Sequence, residues 1–313
     1  MRENANVTGR FAPSPTGPLH IGNLRTALIA WLSAHQSGDE LLLRIEDLDR
    51  LNSRPEHEAR QIAELHTLGI DFDSNITRQS ERFAKYEAII EGLRERGLVY
   101  PCYCTRREIL EAVHAPHGPA IEGAYRGTCR NLNSSERRDR ESAGRRPAWR
   151  LRTEHEQYIV DDLVAGPTLT IVDDMVLQRN DGVPAYNLAV VVDDAEQGVT
   201  QIVRGDDLLA GTGRHRHLQR LLGYPTPRYA HVPLVLGGDG ERLAKRHGAV
   251  TLEALGQRGI EVGAVLGELA RSIGLEVDEP TCAAELLASF DLDLMPRAPW
   301  TIPTGWQNEL HDN

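Results

Sequence analysis

Lysine is almost missing from this chain. Of its 35 basic side chains only Lys85 and Lys245 are lysine, and the rest are arginine. In such a composition a lysine inside a glycine-rich loop suggests a task for a compact ammonium rather than a planar fork. Cysteine is also scarce: Cys102, Cys104, Cys129 and Cys282 are too few and too grouped for a secreted disulfide framework, which leaves metal binding or burial. No run of about 18 apolar residues occurs, and Met1–Asn6 lacks the apolar stretch of a signal peptide, so a cytoplasmic protein without membrane contact is expected. Positive charge is in deficit overall, with a net charge of -11, which argues against nonspecific nucleic-acid binding. The balance reverses locally. Arg126, Arg130, Arg137, Arg138, Arg140, Arg145, Arg146, Arg150 and Arg152 face only Glu136, Asp139 and Glu141, and Arg214, His215, Arg216, His217 and Arg220 form a second basic group.

What is present begins at Arg10. The Pro/Gly-rich stretch Arg-Phe-Ala-Pro-Ser-Pro-Thr-Gly-Pro-Leu stops at His20-Ile21-Gly22-Asn23 and runs into an amphipathic helix with Leu24, Leu28 and Trp31 on its buried side. A helix N-terminus offers unpaired N–H groups and partial positive charge, and a glycine beside it admits a phosphate or a flat base. The turn therefore outlines a nucleotide site. Glu40–Glu46 alternates as a strand, leaving Glu46 at its end. Pro55 opens a helix to about Leu68 with Ala59, Ile62 and Leu65 as its stripe, and Ser80 is placed as the cap of another that ends near Gly97. From about Tyr100 to Pro184 the pattern is irregular and reads as an insertion. Leu188–Asp193 is expected as a buried strand, and Val199–Arg204 and His231–Leu236 as further strands of a parallel sheet. A glycine-rich loop then carries Arg242-Leu-Ala-Lys-Arg246, and the remainder is mostly helical, with Val262, Leu266, Leu269 and Ile273 as a stripe. The expected class is α/β, a Rossmann-like parallel sheet with an inserted subdomain and a short C-terminal helical one. The expected boundaries are 1–99, 100–184, 185–236 and 237–313.

Cys102 and Cys104, with Cys129 further on, could supply three thiolates of a tetrahedral zinc site, for which spacing alone suggests His114 or His117 as fourth ligand. Four protein ligands would make such an ion structural.

The pair formed by His20–Asn23 and Arg242–Arg246 resembles the two signatures of class I aminoacyl-tRNA synthetases. By that resemblance His20 and Lys245 are the catalytic residues, and His20, Gly22, Asn23 and Lys245 contact ATP, used with Mg2+. Arg10–Gly17 together with Arg44-Ile-Glu-Asp-Leu-Asp49 is similar to the glutamate/glutamine branch. There Arg10, Phe11, Ala12, Pro13, Ser14, Glu46, Tyr186 and Arg204 would bind L-glutamate, a carboxylate calling for a guanidinium partner. The same likeness moves the fourth zinc ligand to Tyr125, in the company of Cys102, Cys104 and Cys129. The tail His247–Asn313 is expected to be too short for both a loop-supporting helical subdomain and an anticodon reader, so no anticodon-binding domain is expected. The whole chain thus resembles the truncated glutamyl-queuosine branch, which activates glutamate without tRNA and transfers it to the queuosine base at the wobble position of tRNA(Asp). A monomer is expected, with the arginine-rich stretch as part of the tRNA-docking surface. Arg242 and Ala244 depart from the second signature, which commonly has lysine and serine there. A minimal glutamyl-tRNA synthetase charging an acceptor end, and a non-catalytic tRNA- or glutamate-binding protein, are the alternatives.

Overall fold

The computed structural model describes residues 7–36, 38–113, 125–241, 243, 250–277 and 280–302. Strand β1 (Gly9–Phe11) leads through the Pro/Gly turn into helix α1 (Ile21–His35), and β2 (Leu41–Ile45) returns beside β1. Then follow α2 (Pro55–Thr67), the short β3 (Thr77–Arg78) and α3 (Phe83–Glu95). Next are β4 (Val99–Cys102), α4 (Arg106–Val113), α5 (Ser134–Ser142), β5 (Ala148–Leu151), the hairpin β6 (Gln157–Asp162) and β7 (Gly166–Ile171), and β8 (Val176–Gln178). The chain continues with α6 (Tyr186–Glu196), β9 (Gln201–Gly205), α7 (Thr212–Leu222), β10 (Arg228–Val232), β11 (Val235–Leu236), α8 (Leu252–Gly256), α9 (Val262–Ser272) and β12 (Trp300–Thr301).

β1, β2 and β3 pair in parallel, as do β9, β10 and β6, with β7 antiparallel at the far edge. The amides of Thr200 and Gln201 donate to Thr8 O at 2.9 and 3.3 Å, which sets β1 beside β9. The chain reverses its winding there, so a crevice opens beyond the carboxyl ends of β1, β2, β9 and β10. Helix α1 packs into the centre of this layer, with Ile21, Leu24, Leu28, Ile29 and Leu32 fully buried. Arg25 of α1 is buried too. It donates to Pro233 O (2.7 Å), Ser272 Oγ (3.0 Å) and Ser272 O (3.2 Å), bracing α1 against the end of β10 and the last turn of α9, and burial lowers its pKa to about 10.

The stretch expected as an insertion has two parts. Strands β4, β5 and β8 form a separate antiparallel sheet, whereas the β6–β7 hairpin joins the main sheet through β10. Asp174 ties the small sheet together, accepting from Tyr100 Oη (2.6 Å), Arg130 Nη1 (2.8 Å) and the Thr153 amide (2.8 Å).

Three local expectations need correction. Leu188–Asp193 is helical, within α6, and not a strand. Leu188, Ala189, Val190, Val191 and Val192 are all buried, so no exposed face marks the helical period, and three valines favour a strand locally. Tertiary packing overrides that preference, and the helix places Asp193 and Asp194 against buried arginines. Ala59 is exposed, and α2 instead buries Gln61, Glu64 and Leu65, two of them polar because this face holds the preceding turn. Ser80 caps no α-helix. It lies in the 3-10 turn Gln79–Arg82, bonded to Asp47, and α3 starts at Phe83.

Candidate active site

The first turn of α1 is closed by its own histidine. His20 Nδ1 accepts from the amides of Gly22 (3.1 Å) and Asn23 (3.3 Å), while Asn23 Oδ1 accepts from the His20 amide (3.2 Å), a reciprocal cap built from an imidazole. The acceptor role fixes the ring proton on Nε2. A Cβ on Gly22 would lie 3.0 Å from Cε1 and 3.1 Å from Nδ1 of His20, so the glycine makes room for the ring. Gly22→Ala is therefore expected to displace His20 and to cost about 1 kcal/mol for the lost cap. Thermal melting checks this. The Ile21 amide donates to Val250 O at 2.9 Å and His20 bridges Thr251, so the far side of the glycine-rich loop is anchored on this turn.

The stretch preceding the turn is held from two sides. The Glu46 amide donates to Pro13 O (2.9 Å), and Gln61 Nε2 donates to Ser14 O (3.1 Å) and Gly17 O (2.7 Å). Arg44, fully buried in β2, binds Asp194 Oδ1 (2.7 Å), Gln197 Oε1 (2.9 Å) and Glu46 Oε1 (3.2 Å). Burial opposes its charge, but Asp194, Glu46 and Asp193 outweigh it and raise its pKa. Arg10 reaches Asp194 at 3.4 Å and donates to Val203 O at 3.2 Å. Burial pushes Glu46 above the ordinary carboxylate range, against the pull of Arg44 and Arg10. Arg10 and Arg44 are thus neutralised within the protein.

Arg204, at the end of β9, is placed differently. Its guanidinium is buried and donates to His231 Nε2 (3.0 Å), to Thr212 Oγ1 (2.9 Å) and to His215 Nδ1 (3.2 Å), with Leu208 O at 3.4 Å. Among the described residues none of its hydrogen-bond partners is a carboxylate. Tyr186, the first residue of α6, lies with its ring 5.9 Å from that of His215; burial and Glu46 raise its phenol pKa.

One cavity of about 1090 Å³ collects these groups. Arg10, Phe11, Ala12, Pro13, Ser14, His20, Gly22, Asn23, Glu46, Tyr186 and Arg204 all line it, with Leu243, Val250 and Thr251 from around the glycine-rich loop. Lys245, like Arg242 and Ala244, lies outside the described residues. Gln61, His215 and His231 belong to no motif in the sequence. His215 and His217, members of the second basic group, are both buried on α7. The alternation Arg214-His215-Arg216-His217 carries no helical signal, because residues two apart lie on nearly opposite sides of a helix.

The cysteine group lies apart, under the β4–β5 sheet. Cys102, Cys104 and Cys129 place their sulfurs within 4.8 Å of one another. Tyr125 Oη is 3.3 Å from Cys102 Sγ and 3.7 Å from Cys104 Sγ, and Cys104 and Cys129 are 3.5 Å apart. Tetrahedral zinc with ordinary bond lengths requires sulfur–sulfur edges of about 3.8 Å and sulfur–oxygen edges of about 3.5 Å, so this donor set fits the ion. Tyr125 Oη also accepts the Cys129 amide at 2.8 Å, and the Arg150 guanidinium lies 3.8 Å over its ring. His114 and His117 lie outside the described residues.

Residues 6–291 match the family model of class I tRNA synthetases (E and Q), catalytic domain. A Glutamyl-Q tRNA(Asp) synthetase of Nocardia farcinica is 55% identical over 94% of this chain and 92% of its own length. A glutamate–tRNA ligase 2 of Syntrophus aciditrophicus is 41% identical over 96% of this chain but only 65% of its own length. The solved glutamate tRNA ligase of Elizabethkingia meningosepticum, in complex with its amino acid, superposes with a TM-score of 0.80 at 25% identity, covering 98% of this chain and 69% of that one.

Proposed function

Since the chain belongs to the class I tRNA synthetases of the glutamate and glutamine type, we propose that it activates L-glutamate with ATP and transfers it to the queuosine base at the wobble position of tRNA(Asp). An α-carboxylate oxygen of glutamate attacks the α-phosphorus of ATP and pyrophosphate leaves. A hydroxyl of the modified base then attacks the carbonyl carbon of the adenylate and AMP leaves. Positioning and charge neutralisation carry most of such a reaction.

The observation that carries this reading is Arg204, a buried guanidinium in the cavity whose hydrogen-bond partners among the described residues are all uncharged, sharing that cavity with Glu46. Arg204 would receive the side-chain carboxylate and Glu46 the α-ammonium, while Arg10, Tyr186 and the Phe11–Ser14 backbone enclose the remainder. His20, Gly22 and Asn23 would hold ATP at the α1 N-terminus. Lys245 would bind its phosphates, with Mg2+ as their counterion. A zinc ion on Cys102, Cys104, Tyr125 and Cys129 would brace the β4–β5–β8 module and leave no position for substrate. The 94% and 92% mutual coverage with the Nocardia protein favours the queuosine acceptor over an acceptor end. Among the described residues no helix is long and apolar enough to cross a membrane.

Glutamate-dependent exchange of pyrophosphate into ATP, without tRNA, tests the first half-reaction. Exchange should be present with glutamate and absent with glutamine; none with either would overturn the reading. For docking, the arginine-rich stretch divides. Arg130 pairs with Asp174 and Arg145 with Glu108, and Arg150 is buried, whereas Arg138 and Arg146 are exposed. Alanine at Arg138 and Arg146 should weaken tRNA binding and flatten its salt dependence by about one logarithmic slope unit per lost phosphate contact, with exchange unchanged. Filter binding across a salt series measures this.

A further inference from the structure

Arg204 is held in an unusual way for a buried cation. His231 Nδ1 lies 2.6 Å from Asp162 Oδ2, and the Asp162 carboxylate also accepts the amides of His231, Val164 and Ala165. Because a guanidinium can only donate, His231 Nε2 must accept from it, which puts the ring proton on Nδ1, facing Asp162. His215 has the opposite assignment. Its Nδ1 accepts from Arg204, so its proton is on Nε2, where Asn187 Oδ1 accepts at 3.0 Å. Burial and the nearby Arg204 hold both imidazoles below their ordinary pKa, hence neutral. Asp162 is one imidazole removed from the guanidinium and orients it without touching it.

Resting on the assignment of Arg204 to the substrate carboxylate, we propose that His231, set by Asp162, and His215, set by Asn187, are positioning residues that hold Arg204 by neutral nitrogen acceptors. Its charge is thereby left for the side-chain carboxylate of a dicarboxylic amino acid. A carboxylate in place of either imidazole would cancel that charge, as Asp194 does for Arg44. A neutral acceptor orients the fork and leaves selection for an anion over an amide intact.

The test compares His231→Leu and His215→Leu with His231→Gln and His215→Asn, which return an acceptor oxygen near the lost nitrogen. In pyrophosphate exchange the leucine variants should raise the KM for glutamate about tenfold or more, with the KM for ATP within about twofold, and the amide variants should recover most of the loss. A fall in kcat with glutamate KM unchanged, or amide variants no better than leucine, would overturn the proposal. Nitrogen-15 NMR of the wild-type imidazoles provides a second measurement that requires no variant to fold. At neutral pH, His231 protonated on Nδ1 and His215 on Nε2 supports the arrangement, and a charged ring or the other tautomer at either position overturns it. Wild-type protein lacking glutamate-dependent exchange would instead overturn the functional reading, whatever the tautomers.

Discussion

An Arg204→Gln variant should fold, bind ATP normally and lose about 10²- to 10³-fold in kcat/KM for glutamate. Glutamine retains an amide donor but no charge, so what is removed is the electrostatic half of a charge-assisted contact. Stability should change little, because no buried carboxylate among the described residues hydrogen-bonds to Arg204 and would be left uncompensated. Arg44→Gln provides the contrast. It would take from Asp194 and Glu46 their closest cation, leaving Arg10 at 3.4 Å as the remaining guanidinium on Asp194, a loss of about 3–5 kcal/mol, and the protein should melt early or fail to accumulate. Both guanidiniums are buried near the same cavity, yet the first variant should fail in kinetics and the second in folding. Thermal melts beside pyrophosphate exchange separate them. An Arg204→Gln protein with wild-type glutamate kinetics would remove the main support for a carboxylate substrate.

The second large effect concerns the cysteine module. A Cys104→Ser variant, or protein stripped by a chelator, should lose a metal content of about one zinc per chain and show a separate early unfolding step. Transfer to tRNA should fall by at least about tenfold, while glutamate-dependent exchange stays within about twofold. The separation follows from geometry. None of the described residues lining the cavity comes from 99–178, and the module reaches α7 by the Asp173–Arg214 ion pair at 2.6 Å. Metal analysis by mass spectrometry with both assays decides it. Equal loss of exchange and transfer would mean that the ion supports the adenylation site as well.

How much of this could be read from the sequence depended on how local the cause was. The His20 turn, its glycine and the buried face of α1 follow from neighbours within a few residues, and the structure closes that turn with bonds spanning two or three positions. The assembly of Arg10, Glu46, Tyr186 and Arg204 about one cavity was reached by resemblance and not by periodicity, because those residues are brought together only by the order of strands. Leu188–Val192 of α6 reads as a strand for a physical reason: a helical stretch buried on every side has no polar face, and its valines point to a strand. The alternation of Glu40–Glu46 says nothing of what meets the charge of Arg44: β2 is covered on both faces and the partner is Asp194, 150 residues away. His231, Asp162 and His215 carried no signal of their own. Each is an ordinary polar residue until the fold brings it to Arg204.

Glutamate delivered to a modified base stays on the tRNA when the terminal ribose is removed. Radiolabelled glutamate should be incubated with ATP, the enzyme and two preparations of tRNA(Asp), one containing queuosine and one lacking it. Label should enter only the queuosine-containing tRNA and should survive removal of its terminal adenosine. Equal labelling of both preparations, or label lost with the terminal adenosine, would overturn the queuosine assignment and identify an enzyme that charges the acceptor end.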